Sequence, residues 1–309
     1  MANKYPTLKN SAGLTWLKIK KPRKKEIEYL QNNYHFSMVH LNDCLPPLQR
    51  PRLIEHDDYL FMILTFPVYQ AKSRKIVPLE VDFFISQNYL ITCQETDFLP
   101  LDRLFEQYRK DKKLPSALGS SPGSLLYEIL NDSIDNAFPM LNHISNDIET
   151  LEDKIFLTKK FKENVIHDIL IARRNIVSFK KSIQAHKAVI RKMVDKSTKF
   201  FPTKRLETYF TNVVDDLKEI WDTLDNYGGT ISAIFESNES IYSDRLNSII
   251  KTLTIFSVIV FPLTLLAAIF GMNTTMPLVD TPYGFYKIVG LMASGTLIML
   301  TIFKKKHWL

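Results

Sequence analysis

Residues 252–279 read TLTIFSVIVFPLTLLAAIFGMNTTMPLV, an uninterrupted run without a charged side chain. After Asp280 and Lys287, a second uncharged run, IVGLMASGTLIMLTIF, covers residues 288–303. A membrane-spanning helix needs about 20 mostly apolar residues. The first run has that length, and the second has it if its helix begins near Tyr283. Each run alone could be a buried core helix of a soluble protein, but the pair, joined by a short connection, predicts a transmembrane hairpin.

Basic residues flank this hairpin on one side only. Arg245 and Lys251 precede the first run, and the connection at residues 271–284 contains no lysine or arginine. Three lysines close the second run: Lys304, Lys305 and Lys306. Because loops rich in lysine and arginine stay on the cytoplasmic side, we expect a multi-pass protein of the plasma membrane with both termini in the cytoplasm.

The composition of the whole chain is that of an ordinary soluble protein. Of 309 residues, 24% are charged and 45% hydrophobic, and the formal net charge is +7. These values exclude a disordered chain and a membrane protein with many spans, so we expect a large soluble part attached to the hairpin. Cys44 and Cys93 are too few for a disulfide framework, which favours a reducing compartment. Residues 1–21 contain no secretory signal.

The first part of the chain mixes strand and helix patterns. Apolar β-type runs lie at residues 60–69, 76–85 and 89–94, and helical stretches lie near 24–33 and 101–110. Ser86-Gln87-Asn88 joins two of the apolar runs and predicts a hairpin turn. Strands interspersed with helices predict a small cytoplasmic domain of the α/β or α+β class over residues 1–120. The loop-like sequence SALGSSPG at 116–123 marks its end.

From Ser124 onward the pattern is helical. Three helices are predicted, over residues 125–157 with a kink at Pro139, over 163–194, and from 204 into the hairpin. The third would have roughly 65 residues and a length of about 100 Å. Such a helix has too little to pack against in a monomer, which implies a bundle and an oligomer. We therefore place a long-helix stalk at 121–248 and the transmembrane hairpin at 249–309.

The first apolar run ends in Gly271-Met272-Asn273, between FPLTLLAAIF and TTMP. With this motif, two C-terminal spans, an α/β domain, a stalk and a basic KKK-x-W end, the sequence resembles the CorA family of divalent-cation channels, the bacterial magnesium transporters. The resemblance covers most of the chain. It implies a funnel-shaped homopentamer in the lipid bilayer, whose first span lines a central pore for hydrated divalent cations. Mg2+ is the expected ion, with Co2+ and Ni2+ also carried.

The motif suits a filter for a hydrated ion. Mg2+ holds its water tightly and usually keeps several waters when bound. A ring of Asn273 side-chain oxygens, one from each subunit, would accept hydrogen bonds from those waters without binding the ion too tightly. Gly271 would allow a close helix approach or a non-helical turn, and Met272 would pack behind the ring. Asn273 could also be an ordinary polar residue that ends a helix; the resemblance favours the filter.

Counting back from Met272 at about 3.6 residues per turn selects one stripe of the first-span helix. The stripe comprises Ala268, Thr264, Phe261, Ser257, Leu253 or Thr254, Ile250, Asn247, Ser243, Glu239 and Glu236. Its chemistry changes from a hydroxyl at Thr264, through an apolar constriction around Phe261 that would block ions by dewetting, to carboxylates. The same stripe could be a seam of a helix bundle. The resemblance implies that it faces the pore, with Phe261 in place of a methionine.

Two acidic features of the family differ here. The family's regulatory magnesium site pairs an acid in a strand turn with an acid of a D-x-x-D segment on the stalk. Here Asn212 replaces the first stalk acid, Asp215 and Asp216 follow, and the turn at 71–75 reads AKSRK, which is basic. We expect the two-carboxylate site to be absent and regulation to be weaker or to use other acids, namely Asp147, Glu149, Glu152 and Asp153. In the outer loop, Asp280 is the only acid, and a ring of it could concentrate cations.

Other functions find less support. The chain has no phosphate-binding loop and no recognisable catalytic motif, so we expect neither an enzyme nor an organic cofactor. Its basic residues lack the motif support that a nucleic-acid interface needs. Two alternatives stay open: a zinc transporter of the related ZntB type, and a membrane-anchored cytoplasmic metal sensor without transport. Polar residues on the stripe argue against a simple anchor.

Overall fold

The structure, a computed structural model, describes residues 5–9, 13–111, 121–156, 164–201, 206–272, 282–306 and 308. The chain forms two compact units, Met1–Phe235 and Glu236–Leu309. The first unit combines the predicted sheet domain with most of the predicted stalk, because helices from beyond residue 121 pack on the sheet. The division of the sequence into 1–120, 121–248 and 249–309 stays a prediction.

A six-stranded sheet is the centre of the first unit, with the strand order β1-β2-β6-β5-β4-β3. The strands are β1 Thr7–Lys9, β2 Thr15–Lys20, β3 Arg52–Glu55, β4 Leu60–Gln70, β5 Lys75–Ile85 and β6 Tyr89–Gln94. Neighbouring strands are antiparallel except β2 and β6, which are parallel. The helices are α1 Lys24–Tyr34, α2 Met38–Asp43, α3 Leu99–Asp111, α4 Pro122–Asp135, α5 Phe138–Phe156, α6 Asn164–Ile183, α7 His186–Lys196, α8 Glu207–Phe270 and α9 Gly284–Lys305.

The three strands predicted from apolar runs are present, and their bounds differ from the prediction by no more than one residue. The predicted hairpin is also confirmed, because β5 and β6 are antiparallel and the amide of Ser86 donates to the carbonyl of Tyr89 at 3.0 Å. The sheet and the helices around it therefore form a domain of the expected mixed α and β class.

The two faces of the sheet are covered by different helices. Successive residues of a strand point to opposite faces, and on β2 Leu17 packs in the core formed with α1 and α2. Its neighbour Trp16 lies on the other face, with its ring 4.9 Å from that of Phe105 in α3. The amide of Ile76 in β5 donates to Oδ1 of Asn175 in α6 at 3.0 Å, which ties a fourth helix to the sheet.

Two carboxyl groups of β5 are buried in this unit. Glu80 is 9% exposed and Asp82 only 3%. The amide of Gln49 donates to Glu80. Burial raises the pKa of Glu80 to about 7, and burial followed by the charge of Glu80 raises the pKa of Asp82 well above its usual range. The folded state therefore favours protonated forms of this pair.

The prediction of one kinked helix over 125–157 is wrong, because the chain forms two helices there. α4 ends at Asp135 and α5 begins at Phe138. Pro139 has no amide proton, and its ring would clash with the carbonyl of Asp135, four residues earlier. The amide of Ala137 instead donates to Ile134 at 2.8 Å, three residues back, which closes the first helix in a tighter turn.

The predicted second helix, 163–194, is likewise interrupted, between Ile183 and His186. In a continuous helix the carbonyl of Ser182 would accept from the amide of His186. Here it accepts the hydroxyl of Thr65 in β4 at 2.8 Å. The buried ring of His186 is bonded through Nε2 to the carbonyl of Thr65 at 2.8 Å. Contacts with the sheet thus replace a helical hydrogen bond. The sequence of the helix alone does not predict these contacts.

The long third helix is confirmed as α8, which has 64 residues and contains Pro262. α9 forms the second apolar helix. Both are long and apolar enough to cross a membrane, and only 6% and 0% of their most apolar windows are buried. A core helix of a soluble protein would be mostly buried, so burial gives no support to that alternative.

Candidate functional site

The predicted stripe lies on the uninterrupted helix α8, so the helical spacing used to select it is present in the structure. Its apolar members are exposed in the single chain: Ile250 is 52% exposed, Leu253 64% and Phe261 70%. Glu236, Glu239, Asn247, Thr264 and Ala268 are also exposed, and Ser257 is half-buried. The rest of the apolar segment is largely exposed as well. The stripe therefore differs from its surroundings in its chemistry and not in its exposure.

Thr264 has its hydroxyl proton committed to the helix. Its Oγ1 donates to the carbonyl of Val260 at 2.9 Å. A hydroxyl has one proton and two lone pairs, so the oxygen of Thr264 is left as a hydrogen-bond acceptor. Thr254 has the same arrangement, with Oγ1 2.8 Å from the carbonyl of Ile250. A ring of such oxygens suits the protons of a cation's coordinated waters.

The helix closes at the first two residues of the predicted filter motif. The amide of Gly271 donates to Ala267 at 2.9 Å, and the amide of Met272 donates to Ile269 at 3.3 Å, three residues back. A Cβ at Gly271 would lie 3.0 Å from the carbonyl oxygen of Ala267. A larger residue at this position would therefore require a small shift of this carbonyl, which favours glycine. Met272 is 58% exposed; Asn273 and Asp280 lie outside the described residues.

The second apolar helix has aromatic residues at its start and the predicted basic residues at its end. Tyr283, Phe285 and Tyr286 are exposed at its start. Lys304, Lys305 and Lys306 are exposed at its end. The ring of Trp308 stacks on Phe303 at 5.9 Å, and its amide donates to the carbonyl of Phe303 at 2.9 Å. Lysines and an indole ring at one end of an apolar helix are typical of a membrane–water interface.

The three residues of the altered regulatory motif lie near the start of α8. Asn212 and Asp215 are exposed, and Asp216 is half-buried. Burial raises the pKa of Asp216, and the charges of Asp135, Glu219 and Asp215 raise it further. The mutual repulsion of these acids therefore favours a proton or a cation at Asp216. Acidic repulsion alone does not make a metal site.

The arginine of the basic strand turn is paired with acids of the same chain. Arg74 lies between β4 and β5, and its guanidinium contacts Asp168 of α6 at 3.1 Å and Asp147 of α5 at 3.7 Å. Lys154 also contacts Asp168, at 2.7 Å. Burial opposes ionisation of Asp168, but the hydrogen bonds from Lys154 and Arg74 outweigh it and lower its pKa. Fixed cations thus occupy the acids nearest to this turn.

Of the four alternative acids, Asp147 is thus already paired with Arg74. Glu149 accepts a hydrogen bond from Ser145 at 3.4 Å, and Glu152 and Asp153 lie on the same helix. Across the described ranges, no three His, Cys, Asp or Glu side chains are grouped so as to hold a metal ion. The sequence did not predict the role of Arg74, because its partners lie more than seventy residues away and share no local pattern with it.

Comparison with known proteins gives a consistent result over nearly the whole chain. Residues 11–305 match the protein family described as CorA-like Mg2+ transporter protein. The cobalt/magnesium transport protein CorA of Thermotoga maritima is 27% identical, covering 97% of this chain and 85% of that protein.

Solved structures show the same architecture. The complete structure of the CorA magnesium transporter from Methanocaldococcus jannaschii matches with a TM-score of 0.84 and 24% identity, covering 96% of this chain and 92% of that one. The cytoplasmic domain of ZntB from Vibrio parahaemolyticus matches with a TM-score of 0.61 and 15% identity, over 75% of this chain and 88% of the domain. These likenesses establish the fold.

Proposed function

The chain belongs to the CorA-like Mg2+ transporter family, and on that premise we propose that it is a channel for hydrated divalent cations. Mg2+ is the expected ion, and Co2+ is proposed as a second because a relative is named for both; Ni2+ would follow as an ion of similar charge and hydration. The observation that carries the proposal is the stripe on α8, which runs without a helix break from carboxylates to the filter motif.

The chemistry of the stripe supports passage of an ion with its waters. Exposed Glu236 and Glu239 would attract cations at one end. Phe261 and Leu253 would form an apolar constriction that closes by dewetting. The acceptor oxygen of Thr264 and the side-chain oxygen of Asn273 would then meet coordinated waters beyond it. Neutral oxygens bind a hydrated ion weakly enough to release it.

A pore needs several copies of α8, since one helix cannot enclose a channel. The exposed apolar side chains of α8 would be covered by lipid on one side and by neighbouring copies on the other. We therefore propose an oligomer around a central pore, and the family resemblance specifies a homopentamer. The basic end of α9 and the absence of lysine and arginine from 271–284 support a plasma-membrane protein with both termini in the cytoplasm.

The membrane potential can supply the energy for uptake. Moving one charge through 100 mV is worth about 2.3 kcal/mol, so a divalent cation gains about 4.6 kcal/mol. At about 1.4 kcal/mol per tenfold, this supports accumulation on the order of a thousandfold. A resident cofactor or a source of chemical energy is therefore not required.

Regulation by cytoplasmic Mg2+ at the family's carboxylate pair is not part of this proposal. Arg74 and Lys154 neutralise the acids nearest to the strand turn, and Asn212 replaces one stalk acid. Asp215 and Asp216 could still bind a cation weakly. We expect Mg2+ to protect the cytoplasmic part from proteolysis less than in a relative that has both carboxylates.

Ion uptake into proteoliposomes tests the proposal. Wild type, Asn273→Ala and Thr296→Ala would be compared with Mg2+, Co2+, Ni2+ and Zn2+ under an inside-negative potential. Thr296 is the matched control, a polar residue of the second apolar helix whose hydroxyl is bonded to Met292 at 2.9 Å. We expect Asn273→Ala to lower divalent flux by at least about tenfold, through loss of contacts to the hydrated ion, and Thr296→Ala to leave it unchanged.

Each other outcome removes a specific part of the proposal. Flux that is insensitive to Asn273→Ala would reject the filter. Zn2+ flux well above Mg2+ flux would favour the ZntB-like alternative. A wild-type protein that binds divalent cations but carries none would be a membrane-anchored sensor.

A further inference from the structure

A cavity of about 410 Å3 lies in the first unit, between the break that separates α6 from α7 and the facing part of α8. Small-molecule sites usually have volumes of about 300–1,000 Å3 and combine apolar walls with a few polar groups. Buried Ile183 and Leu217 supply apolar wall here, and Trp221 supplies an aromatic ring. The cavity is therefore large enough for a planar organic ligand.

Trp221 is half-buried and already binds a cation on one side. The ammonium of Lys180 lies 4.5 Å from the centre of its ring, and the same ammonium contacts Asp225 at 2.6 Å. Lys180 is thus fixed, and it holds the indole against α6. Trp221 also lines the cavity, and its indole ring provides the aromatic group there.

The cavity has an excess of positive charge. Lys187 on α7 and Lys218 on α8 line it from opposite sides, with Asp222 as the one acid of the lining. Within the described part of the chain, neither lysine has an ion-pair partner, whereas Lys180 has one. Two ammonium groups, offset by a single carboxylate, favour an anionic ligand beside the aromatic ring.

A neighbouring cavity has the opposite charge. It measures about 270 Å3 and lies farther along the same two helices, and its charged lining residues are Arg191, Asp195, Glu207 and Asp215. Three carboxylates and one guanidinium would repel a polyanion. An anionic ligand would therefore select the cavity at Trp221, and this contrast provides an internal control.

We propose that the cavity at Trp221 binds a nucleoside polyphosphate. The base would stack on the indole ring. Such stacking does not depend on the identity of the base, because every base has a π-face. The phosphates would lie between Lys187 and Lys218 and receive charge-assisted hydrogen bonds from both. Inorganic phosphate alone would leave the apolar wall and the ring unused. This ligand site is independent of the ion pathway proposed for α8.

Calorimetric titration of the full-length protein in detergent with ATP tests the proposal. EDTA is present throughout, so that chelation of Mg2+ by ATP cannot produce the heat. Adenosine and tripolyphosphate are titrated separately to resolve the base and phosphate contributions. We expect saturable binding of ATP, and weaker binding of either fragment by about tenfold or more.

Variants then locate the site. Removal of either lysine, in Lys187→Ala or Lys218→Ala, should weaken ATP binding by about tenfold, since each loses one charge-assisted contact. Trp221→Leu should weaken ATP but leave tripolyphosphate unchanged. Lys181→Ala is the matched control, because Lys181 is exposed beside Lys180 and does not line the cavity. Thermal melts followed by circular dichroism confirm that each variant is folded.

Three results would overturn the proposal. These are no saturable ATP binding at millimolar concentration, equal affinity for ATP and tripolyphosphate, and equal loss in Lys181→Ala and Lys187→Ala. Should one of these occur in a protein that still transports divalent cations, only the nucleotide site fails. Loss of transport with intact ATP binding would reject the channel alone.

Discussion

The two units of the molecule use apolar side chains in opposite ways. In the first unit, Phe61 and Phe84 are completely buried within the same chain. In the second unit, Leu253 is 64% exposed and Phe261 70%. The first unit therefore supplies its own hydrophobic core, whereas in the proposed channel the second would depend on lipid and on other copies of the chain to cover its surface. Both units are rich in apolar side chains. They differ in whether these side chains are buried by residues of the same chain.

The largest expected effect on stability is that of Phe61→Ala. The ring of Phe61 lies 4.7 Å from that of Phe84 and stacks on His40 at 4.9 Å. Truncating a buried phenylalanine leaves a cavity and costs about 3–5 kcal/mol. Urea unfolding of the full-length protein in detergent, followed by near-ultraviolet circular dichroism, measures this. A loss below about 1 kcal/mol would contradict the assignment of Phe61 to a packed core.

Glu80→Gln tests how the first unit buries a carboxyl group. Because the pKa of Glu80 is raised to about 7, the folded state binds more protons than the unfolded state between its ordinary value and 7. The free energy of unfolding should therefore fall as pH rises through that window. Glutamine cannot ionise, so the variant should be more stable than wild type near pH 8 and should lose that advantage near pH 5.

The same urea measurement at both pH values decides this prediction. Asp102→Asn is a useful comparison, because Asp102 is a carboxylate paired with Lys18 at 3.0 Å. Its removal should destabilise the protein near neutral pH. If Glu80→Gln and wild type had parallel pH profiles, the carboxyl pair of β5 would not be responsible for the pH dependence.

Arg74→Ala should have a smaller effect. The guanidinium is about half exposed, and Lys154 still contacts Asp168 in the variant. Partly exposed ion pairs contribute roughly 0.2–1 kcal/mol, so a loss in that range is expected. Lys72→Ala, an exposed lysine of the same turn, should be neutral. An equal effect of both substitutions would show that the contacts of Arg74 with Asp147 and Asp168 do not stabilise the fold.

Phe261→Ala should have the smallest effect on stability and sharpens the contrast with Phe61. Since Phe261 is exposed in the single chain, its truncation should change the free energy of unfolding of the first unit by less than about 0.5 kcal/mol. Divalent flux into proteoliposomes should rise, because replacing the phenyl ring of Phe261 with a methyl group widens the proposed constriction. Unchanged flux would remove Phe261 from the ion pathway.

Local patterns predicted much of this fold. The apolar runs of β4, β5 and β6 identified three strands, and the lack of proline from 204 to 261 predicted the long helix. These features depend on neighbouring residues, so a single sequence contains them. The break at Ile183 was missed, because it depends on the hydroxyl of Thr65 more than one hundred residues away.

The candidate site shows the same division. The stripe and the filter motif follow from helical spacing and the resemblance, and their assignment to a pore stays a prediction. The ion-paired turn at Arg74 and the cavity at Trp221 could not be predicted, since each is built from segments distant in the sequence. The basic character of the turn is visible in the sequence, whereas the pairing of Arg74 with Asp147 and Asp168 is not.

The sequence by itself determined the two apolar helices, their order, and the charge pattern from which their orientation is proposed, because membrane insertion depends on the length and polarity of continuous segments. Only the tertiary structure decided which strands of the first unit pair and where its helices end. Residues of β2 pair in parallel with residues of β6 that lie 74 positions later in the sequence, and α6 ends next to Ser182, whose carbonyl accepts the hydroxyl of Thr65. The physical reason is that long-range hydrogen bonds and packing depend on which distant segments come together. Local sequence patterns do not predict these contacts.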